Sequence, residues 1–303
     1  MTTIIVRVPA TTANLGPAFD CLGLALNLWN EVELVVGGTE LVVEVRGEGE
    51  RQLPKDKSNL IVRAMQKALE AAEVETPKGI KISCQNGIPL NSGLGSSAAA
   101  TLSGLLAGNA LARKKLSKEA MLQLGAEIES HADNLAAALL GGLVLVRQEA
   151  GSYKAKALAC AKLRTVVLLP DVQISTQEAR AALAATVPLP DAVANIGNAL
   201  LLAEALRSGD IALMAEAMED RLHQPARLGL IPGAEEALDA AKKAGAAAAL
   251  SGAGPSVIAF IEAGNEDIVL AALRQPFTGR GIETLHFLLE TSSAGASVEV
   301  RGG

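Results

Sequence analysis

The segment Pro89-Leu-Asn-Ser-Gly-Leu-Gly-Ser-Ser-Ala-Ala99 constrains this chain more than any other. Gly93 and Gly95 permit positive φ and let the backbone come close to a ligand. A strand expected at Ile80–Cys84 leads into this turn. Ser96 and Ser97 then open an alanine-rich helix running to about Ala112, whose first N–H groups and positive dipole end face the turn. In physical terms this is a phosphate cradle. It is not a Walker A loop, because no Gly-Lys dipeptide occurs in the chain. A dinucleotide turn read as Gly93-x-Gly95-x-x-Ala98 fits poorly. It needs an acidic residue about 20 positions on, after a second strand. That region holds Arg113, Lys114, Lys115 and Glu119, with no strand before Glu119.

The anion site sits in an acidic chain. Over 303 residues the formal net charge is −6 and aromatic residues make up 2%, so nucleic acid would find neither a basic stripe nor a stacking platform. Half the residues are hydrophobic, which argues against disorder, and the length suits two modest domains. Cys21, Cys84 and Cys160 form no C-x-x-C pair and suit reduced thiols in the cytoplasm. Cys21 is read as a small buried side chain. The apolar start, Met1–Pro9, is too short for a signal peptide. The uncharged stretches 82–112 and 244–261 are broken by polar residues, proline and glycine, and read as buried strand–loop–helix units rather than membrane spans.

Short strands are expected at Ile4–Val8, Glu31–Val36 and Leu41–Val45. A first amphipathic helix runs from Asn59 to about Val74, with Leu60, Ile61, Ala64, Met65, Ala68 and Leu69 on one stripe. Ser117 can cap a helix to about Ser130, and a strand follows the Gly141-Gly142 break. Gly151-Ser-Tyr-Lys154 marks a surface turn near a domain boundary. Beyond it come a strand at Val166–Leu169, a helix at Thr176–Ala185 and helices across 192–244. Strands at Ala247–Leu250 and Val257–Ile261, helix Glu266–Arg274, and strands near Ile282–Leu289 and Ser297–Val300 complete the chain. This mixed alternation favours an α+β fold in two domains, 1–155 and 156–303.

Three motifs carry a resemblance. Pro89-x-x-x-Gly-Leu-Gly-Ser-Ser-Ala-Ala99 resembles the signature of the GHMP kinase superfamily. Pro9-Ala-Thr-Thr-Ala-Asn-Leu-Gly-Pro-Ala-Phe-Asp-Cys-Leu-Gly-Leu-Ala25 is similar to the N-terminal motif of the homoserine kinases within it, and Ser251-Gly-Ala-Gly-Pro-Ser256 to its C-terminal glycine motif. The three stand in order and span nearly the whole chain. The resemblance implies a two-domain GHMP kinase fold, with an N-terminal domain related to ribosomal protein S5 domain 2 and a ferredoxin-like C-terminal domain. It also implies a homodimer, ATP and Mg²⁺, and phosphorylation of L-homoserine on the way to threonine. Another kinase of the superfamily, acting on mevalonate or a sugar, is the nearest alternative. A ligand-binding relative without activity is another, against which Ser97, Glu129 and the glycine turn argue. Position 18 is Ala where the family commonly has Gly, and Asn134-Leu-Ala-Ala137 lacks a Pro common after the Asp-Asn pair. Both departures bear on loop shape.

Roles follow from the resemblance residue by residue. Phosphoryl transfer asks a protein for positioning and charge neutralisation. Pro89, Leu90, Asn91, Ser92, Gly93, Leu94, Gly95, Ser96, Ser97, Ala98 and Ala99 form the ATP-binding turn, with Asn59 on the adenine side or simply capping its helix. Ser97 and Glu129 are the expected Mg²⁺ ligands. Asn134 orients the reacting hydroxyl. An amide takes no proton, so the proton is inferred to pass late to the phosphoryl group or solvent, and Asp133 stays open as a base. His131 is read as a hydrogen-bonding residue near a helix end. Asn14 and Asp20 serve the substrate ammonium, Thr176, Arg180 and Arg227 its carboxylate, and Gly252 gives a backbone contact. His223 and His286 stand isolated in the sequence.

Overall fold

A computed structural model describes residues 2–302. Strand β1 (Thr2–Ala13) pairs antiparallel with β2 (Leu22–Val36) from Thr2↔Val36 to Ala13↔Gly23, with a register shift between Pro9 and Ala10. Proline has no N–H to give the ladder, which suits it to a bulge. Both strands are longer than the sequence suggested. Ala10–Ala13 and Leu22–Leu26 are buried throughout, so they carry no alternating signal.

Strands β3 (Leu41–Gly47), β4 (Ile80–Asn86), β5 (Leu143–Glu149) and β6 (Ser152–Leu158) extend this sheet. Its order is β11-β1-β2-β4-β3, with β5 also on β2 and β6 on β5. Ala150 (φ 50°) and Gly151 (φ 79°) form the tight turn between β5 and β6. β6 was not anticipated, because Tyr-Lys-Ala-Lys-Ala carries little strand propensity. β11 (Ser297–Arg301) lies antiparallel on β1, with Thr3 opposite Arg301. The chain thus returns to its first sheet after building the second.

Helices α1 (Leu60–Ala71), α2 (Ser96–Leu111), α3 (Lys118–Glu129) and α4 (Asp133–Leu140) complete the first half, and α2 and α4 lie against β1 and β2. The second sheet is antiparallel in the order β10-β7-β9-β8, from β7 (Arg164–Pro170), β8 (Ala247–Leu250), β9 (Val257–Ile261) and β10 (Thr284–Glu290). Six helices accompany it: α5 (Thr176–Ala181), α6 (Leu189–Ser208), α7 (Ile211–Ala217), α8 (Gln224–Leu228), α9 (Ala234–Lys243) and α10 (Glu266–Thr278). Val167, Ile258 and Phe260 join the main core with β1 and β2, whereas Val166, Leu168 and Ala259 pack with residues of α9 and α10. Both faces of the second sheet are therefore covered, and its central strands read as unbroken apolar runs. The expected α+β architecture is what the chain adopts.

Helices α1 and α2 meet through small residues. A Cβ on Gly104 would lie 2.2 Å from the Ile61 carbonyl oxygen, and one on Gly108 2.6 Å from that of Met65. Alanine is the better helix former by about 1 kcal/mol, but overpacking a tight contact costs about 1–3 kcal/mol. Gly104→Ala is expected to lower the unfolding free energy in urea titrations despite its propensity gain; an unchanged or raised midpoint would contradict this packing.

Candidate active site

Three segments distant in sequence are joined by backbone hydrogen bonds at the centre of the molecule. Thr11 N donates to Leu94 O (3.1 Å), Gly252 N to Ala13 O (3.1 Å) and Ser256 N to Ser92 O (3.3 Å). Ser251 Oγ lies 2.7 Å from Gly93 O and 2.9 Å from Thr12 Oγ1. The end of β1, the glycine turn and the β8–β9 loop thus form one junction. Two glycines make it possible. A Cβ on Gly93 (φ +78°) would sit 2.2 Å from Ser251 O, and one on Gly95 (φ +71°) 2.1 Å from Thr11 Oγ1.

Gly95 is the N-cap of α2 and offers no capping side chain, so the first N–H groups of the helix stay available to an anion. Ser97 Oγ donates to Glu129 Oε2 at 2.7 Å, and Thr101 Oγ1, one turn further on, donates to Oε1 at 2.6 Å. The Glu129 carboxylate at the end of α3 is thereby aimed at the start of α2. Thr101 was not singled out in the sequence, although its four-residue spacing from Ser97 was the available signal. Among the described residues no group of three or more His, Cys, Asp or Glu can hold a metal. A hydroxyl and a carboxylate do match a hard cation that takes its other ligands from phosphate and water.

Beside this helix end lies a cleft of about 110 Å³. It gathers Asn14, Asp20, Asn134, Thr176, Arg180, Arg227 and Gly252, together with Asn91, Ser92, Gly93, Gly95, Ser96 and Ser97 of the turn. Of the remaining turn residues, Leu94, Ala98 and Ala99 are buried in the core, while Pro89 and Leu90 border an outer groove. Asn59 lines a neighbouring cavity of about 390 Å³ that shares Asn91, Ser96 and Ser97 with the cleft. Its amide is used within the protein: Oδ1 accepts from Ile61 N (3.0 Å) and Nδ2 donates to Pro54 O (2.7 Å).

The charged groups are ordered. Asn14 (φ 67°) accepts Asp20 N at Oδ1 (2.9 Å) and donates from Nδ2 to Gly252 O (2.8 Å). Asp20 takes a bidentate pair from Arg180, at 2.8 and 3.0 Å. Burial pulls the Arg180 pKa down, but the Asp20 carboxylate outweighs it and the net shift is upward. Arg227 is 2% exposed; burial and then the Arg180 charge pull its pKa down. Thr11 Oγ1 donates to Asn134 Oδ1 at 2.8 Å, which fixes the amide orientation. Asp133 accepts the Asn134 N–H at 2.7 Å. His131 Nδ1 approaches Asp133 Oδ1 to 3.2 Å as a charge contact without good hydrogen-bond alignment. Burial works against a proton on His131, yet Asp133 and then Glu129 raise its pKa overall.

One expectation needs correction. Cys21 is exposed rather than buried, because it lies in the turn that lifts Asp20 toward Arg180. His223, which stands apart from the other histidines and the cysteines in the sequence, has a ring that contacts Arg227 and stacks on Phe19. The spacing of His223 and Arg227, one helical turn apart, was the sequence signal for that pair. Phe19 and Thr11 gave no chemical signal of their own.

Residues 59–142 match the family model of the GHMP kinases N terminal domain, and residues 202–279 that of the GHMP kinases C terminal domain. A homoserine kinase from Prochlorococcus marinus is 41% identical over 302 residues, covering 97% of this chain and 94% of the relative. One from Carboxydothermus hydrogenoformans is 41% identical over 281 residues, covering 92% and 91%. The crystal structure of homoserine kinase from Cytophaga hutchinsonii superposes with a TM-score of 0.86 at 33% identity, over 98% of this chain and 97% of that one. An L. major mevalonate kinase shares the fold at a TM-score of 0.71 and 18% identity, over 95% and 96% of the two chains.

The junction generates a stability prediction. Positive φ costs an alanine about 1–2 kcal/mol at either glycine, but the obstacles differ. Gly93→Ala meets backbone carbonyls, whereas Gly95→Ala meets only side-chain atoms, the Thr11 hydroxyl at 2.1 Å and then Asn134 Oδ1 at 3.3 Å. In urea unfolding, Thr11→Ala is expected to offset part of the loss in Gly95→Ala and none of that in Gly93→Ala. Equal coupling to both would contradict the geometry.

Proposed function

The chain belongs to the GHMP kinases and, among them, to the homoserine kinases, and we propose that its cleft transfers the γ-phosphoryl group of ATP to the side-chain hydroxyl of L-homoserine. The product is O-phospho-L-homoserine, the precursor of threonine. One observation carries the assignment of substrate to cleft: a carboxylate and two guanidiniums face the same small volume beside a helix N-terminus.

Asp20 and Arg180 neutralise each other. A zwitterion keeps both satisfied, its ammonium taking Asp20 while its carboxylate takes Arg180 and Arg227. An uncharged sugar would separate the pair without replacing either partner. Asn134, held by Thr11, orients the hydroxyl toward the start of α2. The N–H groups of that first turn and the glycine turn take phosphate oxygens. Since Asp133 is engaged by Asn134 N and His131, the reading favours a proton that leaves late, to the phosphoryl group or solvent, which a loose transition state tolerates. Ser97 and Glu129 would hold Mg²⁺, which supplies charge neutralisation at the phosphates when bound. Asn59 shapes the adenine cavity by capping α1, with Leu60, Ile61 and Leu90 nearby.

Free cysteines suit a cytoplasmic enzyme, and no helix among the described residues is long and apolar enough to cross a membrane. For the homodimer, support comes from α6, where Leu189, Val193, Ile196 and Leu200 are 76, 59, 63 and 70% exposed at spacings of four, three and four residues. Such a stripe suits a two-fold contact between copies.

ATP turnover is expected to depend on L-homoserine in a substrate panel, and turnover with only mevalonate or a sugar would overturn the assignment. Arg180→Ala and Arg227→Ala should raise the KM for homoserine by about 10-fold or more while the KM for ATP changes little. Glu129→Gln should lower kcat on the order of 10²-fold. The double variant Ile196→Glu, Leu200→Glu should sediment as a monomer; a wild type that is itself monomeric would refute the dimer.

A further inference from the structure

His223 is fully buried at the start of α8, and none of the assignments above uses it. Its ring bridges two parts of the site. Nε2 lies 2.7 Å from the Gly16 carbonyl, which can only accept, so Nε2 carries the proton. Nδ1 is then bare and accepts from Arg227 Nη1 at 3.2 Å. Arg227 also donates from Nη1 to Gly252 O (3.2 Å) and from Nε to Ala179 O (3.4 Å). Nη2 has no hydrogen-bond partner among the described residues, so both its hydrogens remain for a ligand. The imidazole stacks on Phe19 with centroids 5.1 Å apart, and Phe19 in turn lies 5.1 Å from the Arg227 guanidinium and 5.6 Å from that of Arg180.

We propose that His223, as the neutral Nε2–H tautomer, is a positioning residue for the substrate carboxylate: it clamps Arg227 Nη1 so that Nη2 faces the cleft, and the same ring ties Arg227 to the Gly16–Asp20 turn that receives the ammonium. The proposal deepens the homoserine reading and rests on it. The charges facing the ring are Asp220, Arg227 and Asp20. Asp220 Oδ2 is 3.6 Å from Nε2 and already accepts the N–H groups of His223 and Gln224. Burial, helped by Arg227 and opposed by Asp220 and Asp20, holds the imidazole below its ordinary pKa. A second ring proton would point an N–H at an N–H of Arg227 and lose the clamp.

The test compares wild type, His223→Leu and His223→Asn, whose Oδ1 can replace Nδ1 as acceptor, with L-homoserine and with aminopropanol, which lacks the carboxylate. His223→Leu is expected to raise the KM for L-homoserine about 10-fold, the worth of one hydrogen bond to a charged group. The KM for ATP should stay within about 2-fold, and His223→Asn should recover most of the loss. On aminopropanol, which uses the ammonium turn but has no carboxylate for Arg227, His223→Leu should lose much less kcat/KM than on L-homoserine. Equal losses on both substrates, no loss on either, or failure of Asn to restore binding would overturn the clamp. A wild type inactive on L-homoserine would instead sink the functional reading. Should the variants fail to fold, NMR of ¹⁵N-histidine-labelled wild type decides the matter, since the chain has three histidines. Well above the ordinary histidine pKa of about 6.5, His223 is expected as the Nε2–H tautomer, and an Nδ1–H tautomer would refute the proposal.

Discussion

The site depends on a junction made of backbone. Residues 11–13, 92–94 and 251–256 hold one another by main-chain hydrogen bonds at close range, and the chemistry hangs from that crossing. The glycine turn fixes where α2 begins. The end of β1 fixes the turn carrying Asn14 and Asp20. The β8–β9 loop presents the Gly252 carbonyl, which receives both Asn14 Nδ2 and Arg227 Nη1. One oxygen thus sets the separation between the Asn14–Asp20 turn and the Arg227 guanidinium. A side chain larger than hydrogen at Gly93 would push the three segments apart.

Around the junction, charge is handled locally. The chain carries an excess of acid, yet the place proposed for phosphate is built from N–H groups and a helix end, which add no formal charge. The carboxylates near it each have work. Asp20 holds Arg180, Glu129 is gripped by Ser97 and Thr101, Asp133 takes the Asn134 N–H, and Asp220 ties down the start of α8. Arg180 and Arg227 both line the cleft and both lie against the Phe19 ring.

Much of this was legible in the sequence, for different reasons. The glycine turn could be read locally, since positive φ and a serine-led helix announce themselves in a few residues. Arg180 and Arg227 could be chosen among the other basic residues only because they sit in motifs resembling a known family. What escaped were contacts made across the fold. Thr11 meets Asn134 over a sequence separation of 123 residues, and His223 meets Gly16 over 207. No periodicity encodes such pairs. β6 escaped because alternating Lys and Ala resemble a helix surface as much as a strand, and the destination of β11 because a strand's sequence does not name its partner.

That last strand has a consequence for how the molecule is made. β1 opens the first sheet, but its outer edge stays bare until residues 297–301 exist to lie on it. During synthesis from the N-terminus, the sheet begun first is therefore finished last, after the whole second sheet has been laid down. For most of that time an unpaired apolar strand edge is open to other chains, a vulnerable period for a growing protein. The same closure sets Thr3 opposite Arg301, so the ladder beside the junction strand is completed by residues that lie beyond the whole second sheet in sequence.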